Sequence, residues 1–356
     1  MGQKFTRAKS ILILLLLALG LASAAPPQRL NPLQLSDFKT IHPVKLDLEK
    51  QNILPASYLK LRRIHGAKGI YDLEELAVDL DGFIPNPFDQ KQINLQVQFS
   101  SPNGEKISIA AFWYQDFDLH TLQPKGDPEF RIRFTPTQAG EWTAQAYLSG
   151  TALKSEPLNF NVAPTHLSHG FVRLNQTNSH YLAFDDGELY FPIGLNMAWS
   201  RDNVLSDYQR WMDLLAENGG NTIRVWMASW SFGIEWNDTG LGDYTNRLRQ
   251  AWLLDQVFDM ARERGIYIML TLINHGAFST QTDSEWQHNP YNTNLSGPCQ
   301  NPQDFASDPF YANFSNDRQR LLHHRSRFFK APQTVQGFAH LVESLSQGRP
   351  VAHYSP

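Results

Sequence analysis

Apolar and polar residues alternate along the first half of the chain. Val44, Leu46 and Leu48 share one parity, as do Ile93, Leu95, Val97 and Phe99, and Ile107, Ile109, Ala111 and Trp113. Phe130, Ile132 and Phe134 continue the pattern, followed by Trp142, Ala144, Ala146 and Leu148, then Leu158, Phe160 and Val162. A period of two puts every second side chain on one buried face, so these six runs predict strands. Pro102-Asn103-Gly104 and Ala139-Gly140 supply turns between them. Six short strands divided by turns predict an antiparallel, immunoglobulin-like β-sandwich over residues 40–163. Residues 51–90 fit less well. Leu73 to Leu80 has helical spacing and Pro85 and Pro87 oppose a strand there, so this stretch is left unassigned.

Past Pro164 the rhythm changes. Phe171–Leu174 and Tyr181–Phe184 predict a hairpin, with turn residues Asp185-Asp186-Gly187 following. Three continuous apolar runs come next: Leu189–Leu195, Asn221–Met227 and Ile266–Ile273. Between them Tyr208–Leu215 and Leu248–Met260 carry apolar residues at spacings of three and four, and Gly265 stops the second helix. Strands apolar on both faces, separated by helices, predict a parallel sheet in an α/β region. The pattern alone leaves a (β/α)8 barrel and a doubly wound sheet open. No glycine-rich phosphate loop follows any of these strands, which disfavours nucleotide binding.

The first residues bear on compartment. Lys4, Arg7 and Lys9 precede an apolar run, Ile11–Leu21, and small residues Ala22-Ser23-Ala24, the order of a secretory signal over residues 1–24. That run is too short to span a bilayer, and no later segment matches it. A secreted or periplasmic protein, free of the membrane after cleavage, is the expectation. Cleavage would move the net charge from -4 to -7, because three basic and no acidic residues leave with the signal. An acidic chain has no electrostatic reason to bind nucleic acid. The single cysteine, Cys299, excludes an intrachain disulfide. Composition leaves oligomeric state undetermined.

Chemistry in a parallel sheet belongs at the carboxyl ends of its strands. Asn196 and Trp199 follow the first run, Arg224 and Trp226 lie on the second with Trp230 just beyond, and Asn274-His275-Gly276 ends the third. Indole faces stack on the C–H faces of sugar rings while Asn, Arg and His hydrogen-bond hydroxyls or a carboxylate. Asn196, Trp199, Arg224, Trp226, Trp230 and His275 are therefore the candidate substrate-binding residues. The alternative makes Trp226 core and Arg224 half of a structural ion pair. The expected ligand is a polysaccharide or oligosaccharide, with neither metal nor other cofactor implied.

Residues 40–312 resemble the clan of (β/α)8 (TIM) barrel glycosidases that includes cellulases and mannanases, preceded by a β-sandwich domain of unknown function. The resemblance rests on Asn86-Pro87-Phe88-Asp89, Ser101-Pro102-Asn103-Gly104, Phe112-Trp113-Tyr114-Gln115-Asp116, Arg131 to Pro136 and Gly140-Glu141-Trp142. In the second region it rests on Phe191-Pro192-Ile193-Gly194, Asn221-Thr222-Ile223-Arg224, Asn274-His275-Gly276 and Asn289-Pro290-Tyr291 leading to Gly297-Pro298-Cys299. It implies a multidomain chain: the sandwich at 40–163, the N-terminal part of a barrel at 168–315, and an atypical tail at 316–356. It also implies retaining hydrolysis of O-glycosidic bonds, with Arg224 supporting a nucleophile and His275 lining the sugar pocket. Retaining hydrolysis needs two carboxyl groups about 5–5.5 Å apart. The family's Asn-Glu signature occurs nowhere, and only three strand-helix units are legible. Glu235, Asp283 and Glu285 fall in loops, where nothing in their spacing signals burial or a separation of pKa values. No catalytic residue is assigned. The expectation is an inactive, truncated glycosidase relative, its tail possibly frameshifted. The alternative is a non-enzymatic carbohydrate-binding or adhesion protein acting through its sandwich.

Overall fold

The computed structural model describes residues 56–306 except 83, 90, 91 and 167. The run around Val44 and the signal and tail segments fall outside those residues. Among the described residues of the alternating region there are nine strands: β1 (Leu59–His65), β2 (Gly69–Ile70), β3 (Glu74–Leu80), β4 (Leu95–Ser100), β5 (Lys106–Ala110), β6 (Phe112–Phe117), β7 (Pro124–Phe134), β8 (Gly140–Leu148) and β9 (Leu158–His166). One sheet has the order β1-β3-β7-β6 and the other β2-β9-β8-β4-β5. All pairings are antiparallel except β2 with β9. The two sheets share one core, in which Leu76, Val78, Ile132 and Phe134 of the first meet Val97, Phe99, Trp142 and Phe160 of the second. Phe99 stacks on Phe134 with ring centres 4.1 Å apart.

The unassigned stretch proves to be a strand, and one apolar run proves to be two. Leu73–Leu80 is not a helix: residues 74–80 form β3, inside its sheet between β1 and β7. Its helical spacing misled because Glu74 and Glu75 are also buried, their charges met by Arg63 at 2.7 Å and Arg133 at 2.8 Å. Sheet pairing and ion pairing overrode local spacing. The run Ile107–Trp113 is likewise two strands, β5 and β6, which break at Ala111 and enter different sheets.

The second region opens with a small antiparallel sheet of β10 (Arg173–Leu174), β11 (Leu182–Ala183) and β12 (Leu189–Tyr190). β13 (Gly194–Asn196), β14 (Thr222–Trp226) and β15 (Tyr267–Thr271) then form a parallel sheet in chain order. The apolar run Leu189–Leu195 thus divides between two sheets. Pro192, lacking an N–H, lies between the parts. Helices α1 (Val204–Glu217) and α2 (Leu248–Glu263) connect successive parallel strands. Ile223, Val225 and Ile268 share a core with Tyr208 and Met212 of α1 and Leu254, Val257, Phe258 and Ala261 of α2. Arg224 and Met269, paired in register on the other side, are exposed. None of the described helices is long and apolar enough to cross a membrane.

The two regions interlock. On β7, Arg133 donates to Glu75 and, through both terminal nitrogens, to Asp255 of α2 at 3.1 and 2.9 Å. Nearby, Trp252 Nε1 donates to Asp116 at 3.0 Å and packs among Phe112, Tyr114 and Phe117. Asn86 accepts from the Phe88 amide at 2.9 Å and donates to the Gly242 carbonyl at 3.2 Å, seating Phe88 in the second region's core.

Burial gives this fold an alkaline weakness. It raises the phenols of Tyr114, Tyr190 and Tyr208 above their ordinary value and pushes Tyr267 up to about 12. Above about pH 10 an unfolded chain loses phenolic protons that the folded chain retains, so stability falls as pH rises toward the folded values. Tyrosinate absorbance at alkaline pH is expected to rise together with loss of the folded circular dichroism signal. Ionisation of these tyrosines well before unfolding would contradict the assigned burial effect.

Candidate functional site

Five of the six predicted ligand-binding side chains meet at the carboxyl ends of the parallel strands. The Trp226 amide donates to the Ala198 carbonyl at 2.9 Å, holding the segment after β13 beside the end of β14. Trp199 consequently sits 5.2 Å from Trp226 and 5.5 Å from Trp230, the second contact edge to face at 87°. His275 also meets Trp226, edge to face, at 6.0 Å and 82°. The Arg224 guanidinium lies over the Trp226 ring at 5.4 Å and donates through Nε to Thr271 Oγ1 at 3.0 Å. Among the described residues, Arg224 thus makes a cation–π contact and one neutral hydrogen bond. Asn196, exposed and paired in register with Arg224, joins the array through the backbone ladder. Trp230 is 47% exposed, leaving indole surface open to solvent.

Residues without a clear sequence signature position this array. Arg247 is buried just before α2. It donates to Asp238 and, through Nη1, to the carbonyls of Ser229 at 2.6 Å and Gly233 at 3.2 Å, fixing the loop that carries Trp230. Tyr208 donates to the Met197 carbonyl at 2.6 Å and pins the end of β13 to α1. An arginine before a helix and a tyrosine on its inner face look unexceptional in sequence. Their partners are distant along the chain.

The loop carboxylates are occupied. Glu235 is buried, contrary to the absence of any burial signal in its spacing, and accepts from the Gly242 amide at 3.0 Å and the Tyr291 hydroxyl at 3.4 Å. Glu285 accepts from the Ser229 hydroxyl and from Asn274 Nδ2 at 3.2 Å. Each therefore ties together segments following β14 and β15. Asp283 is exposed and stands 3.4 Å from His275 Nε2. A small cavity lies beside Glu235, walled by Met227, Asn274, Phe278, Asn289 and Tyr291. Asn289 donates to the Ala277 carbonyl at 2.6 Å and Asn292 to the Trp286 carbonyl at 3.0 Å, making the asparagine-rich segment a self-bonded wall. Cys299 is buried in that wall, and burial pushes its thiol up to about 11, away from thiolate reactivity.

Comparisons with other proteins find partial likenesses. A domain of unknown function, DUF5060, matches residues 70–148. No curated protein matches. A solved structure described as a "putative glycoside hydrolase" from Bacteroides vulgatus is 20% identical with a TM-score of 0.45, covering 80% of this chain and 54% of that one. A family 39 glycoside hydrolase from Bacteroides cellulosilyticus is 12% identical with a TM-score of 0.16, covering 60% and 33%. A purple acid phosphatase from yellow lupin seeds is 14% identical with a TM-score of 0.22, covering 70% and 42%. This chain thus spans about half of the Bacteroides vulgatus protein.

Proposed function

We propose that this is a secreted carbohydrate-active protein that binds a polysaccharide or oligosaccharide at the Trp199–Trp226–Trp230 array. In this reading the two sheets of β1–β9 are an immunoglobulin-like sandwich, and β13–β15 with their helices are the first units of a (β/α)8 barrel of glycosidase descent. The carrying observation is the convergence of three indoles, an imidazole and a guanidinium from three separate strand ends. Sugar rings offer apolar C–H faces to such indoles and hydroxyls to the surrounding donors.

In this reading the chain binds glycan without hydrolysing it. Glu235 and Glu285 both hold loops through the bonds described above, so neither is assigned as proton donor or nucleophile. Glycosidase turnover by the purified chain, removed by Glu235→Gln or Glu285→Gln, would overturn that part of the proposal.

Affinity electrophoresis against β-mannan, β-glucan and xylan tests the binding site. Trp230→Ala removes an exposed ring with little cost to folding. It is expected to weaken retention about tenfold, roughly 1.4 kcal/mol of binding free energy. Undiminished retention in Trp230→Ala and Trp199→Ala variants would instead locate binding on the β1–β9 sheets, the adhesion alternative. Absence of retention on any glycan, despite a folded chain, would reject the carbohydrate reading.

A further inference from the structure

Away from the indole array, three metal-ligating side chains converge beside the β10–β12 sheet. His169 lies four residues before β10, while Asp186 and Glu188 flank Gly187 in the turn between β11 and β12. His169 Nδ1 is 2.7 Å from Asp186 Oδ2 and 3.1 Å from Glu188 Oε2. Their three donor atoms all lie within 4.8 Å of one another, and all three residues are exposed. Bonds of about 2.0–2.2 Å from a small divalent ion put adjacent ligands about 2.9–3.5 Å apart, close to the two separations measured from His169.

The imidazole distinguishes this group from a patch of surface acids. Its ring stacks on Phe184 with centres 5.2 Å apart and planes 27° from parallel, restraining the nitrogen that faces both carboxylates. Asp186 also accepts from the Glu188 amide at 3.0 Å, bringing the two acidic residues onto the same side of the turn. The neighbouring Arg173 guanidinium is paired with Asp185. A single imidazole N–H therefore faces two carboxylates, whereas a divalent cation in its place satisfies both carboxylates and the ring nitrogen together.

We infer that His169, Asp186 and Glu188 form a binding site for a divalent transition ion of the zinc type, independent of the carbohydrate site. A nitrogen donor among two oxygens favours such an ion over calcium or magnesium, which prefer all-oxygen sets. Exposure leaves the remaining coordination positions to water.

Calorimetric titration of the full chain with zinc chloride tests the assignment, with calcium chloride as a separate arm. One saturable zinc site is expected, weakened by about tenfold or more in His169→Ala and in Glu188→Gln. Because both side chains are exposed, each variant should melt with the wild type in chelator and lose the stabilisation that zinc adds. Zinc binding of unchanged affinity in a variant carrying both substitutions would place the ion elsewhere and overturn the assignment. So would no saturable zinc binding in the wild type, or a preference for calcium.

Discussion

Asp255→Ala is expected to lower folding stability by about 3–5 kcal/mol, seen as an earlier denaturant midpoint with loss of cooperativity between the two regions. Asp255 and Arg133 are both buried, and two guanidinium nitrogens donate to the carboxylate. Removing the carboxylate leaves a desolvated guanidinium with Glu75 as its principal anionic partner. The expected loss reflects a buried guanidinium stripped of its bidentate carboxylate more than the intrinsic worth of the pair. Replacing the group with apolar and neutral residues, Arg133→Met, Asp255→Leu and Glu75→Gln together, should therefore recover much of the loss. If Asp255→Ala alone leaves the midpoint unchanged, the network does not couple β7 to α2 energetically.

Gly194→Ala is the second large effect, expected to cost about 3 kcal/mol and to abolish the proposed retention on glycans. A Cβ at position 194 would overlap the carbonyl oxygen and carbon of Thr222 on β14. These are backbone atoms in the β13–β14 ladder, where Gly194 pairs with Thr222 and Asn196 with Arg224. No side-chain rotation relieves the overlap, so the strands must separate. Separation carries Asn196 and Trp199 away from Arg224 and Trp226, coupling the folding defect to the ligand defect. Gly219→Ala is a useful comparison. Its added Cβ meets nothing within 4 Å, but its φ of +77° makes the substitution strained. It should destabilise the α1 terminus while leaving glycan retention in the folded fraction intact. Equal retention by Gly194→Ala and wild type would exclude close β13–β14 pairing as the support of the site.

Strand parity was most legible where burial alternates. Leu95, Val97 and Phe99 of β4 and Trp142, Ala144 and Ala146 of β8 are buried with less buried neighbours between them. It failed at β3, whose acidic residues are buried by arginines distant in sequence, and at Ala111, where one apolar run crosses between sheets. In the second region, three strands and two helices were readable from apolar runs. Pro192 marked a division that hydropathy alone obscured.

Which residue types stand at three strand ends was legible in the chain alone, because alternation and apolar runs report burial along it. The sequence also determined the acidic balance and the absence of an intrachain disulfide. Only tertiary structure decided that Trp226 would join Trp199, Trp230, Arg224 and His275, and that Glu235 and Glu285 would tie loops together. The physical reason is that local patterns select which faces seek burial, whereas side-chain contacts across tens of residues depend on parallel pairing and on the path of each intervening helix.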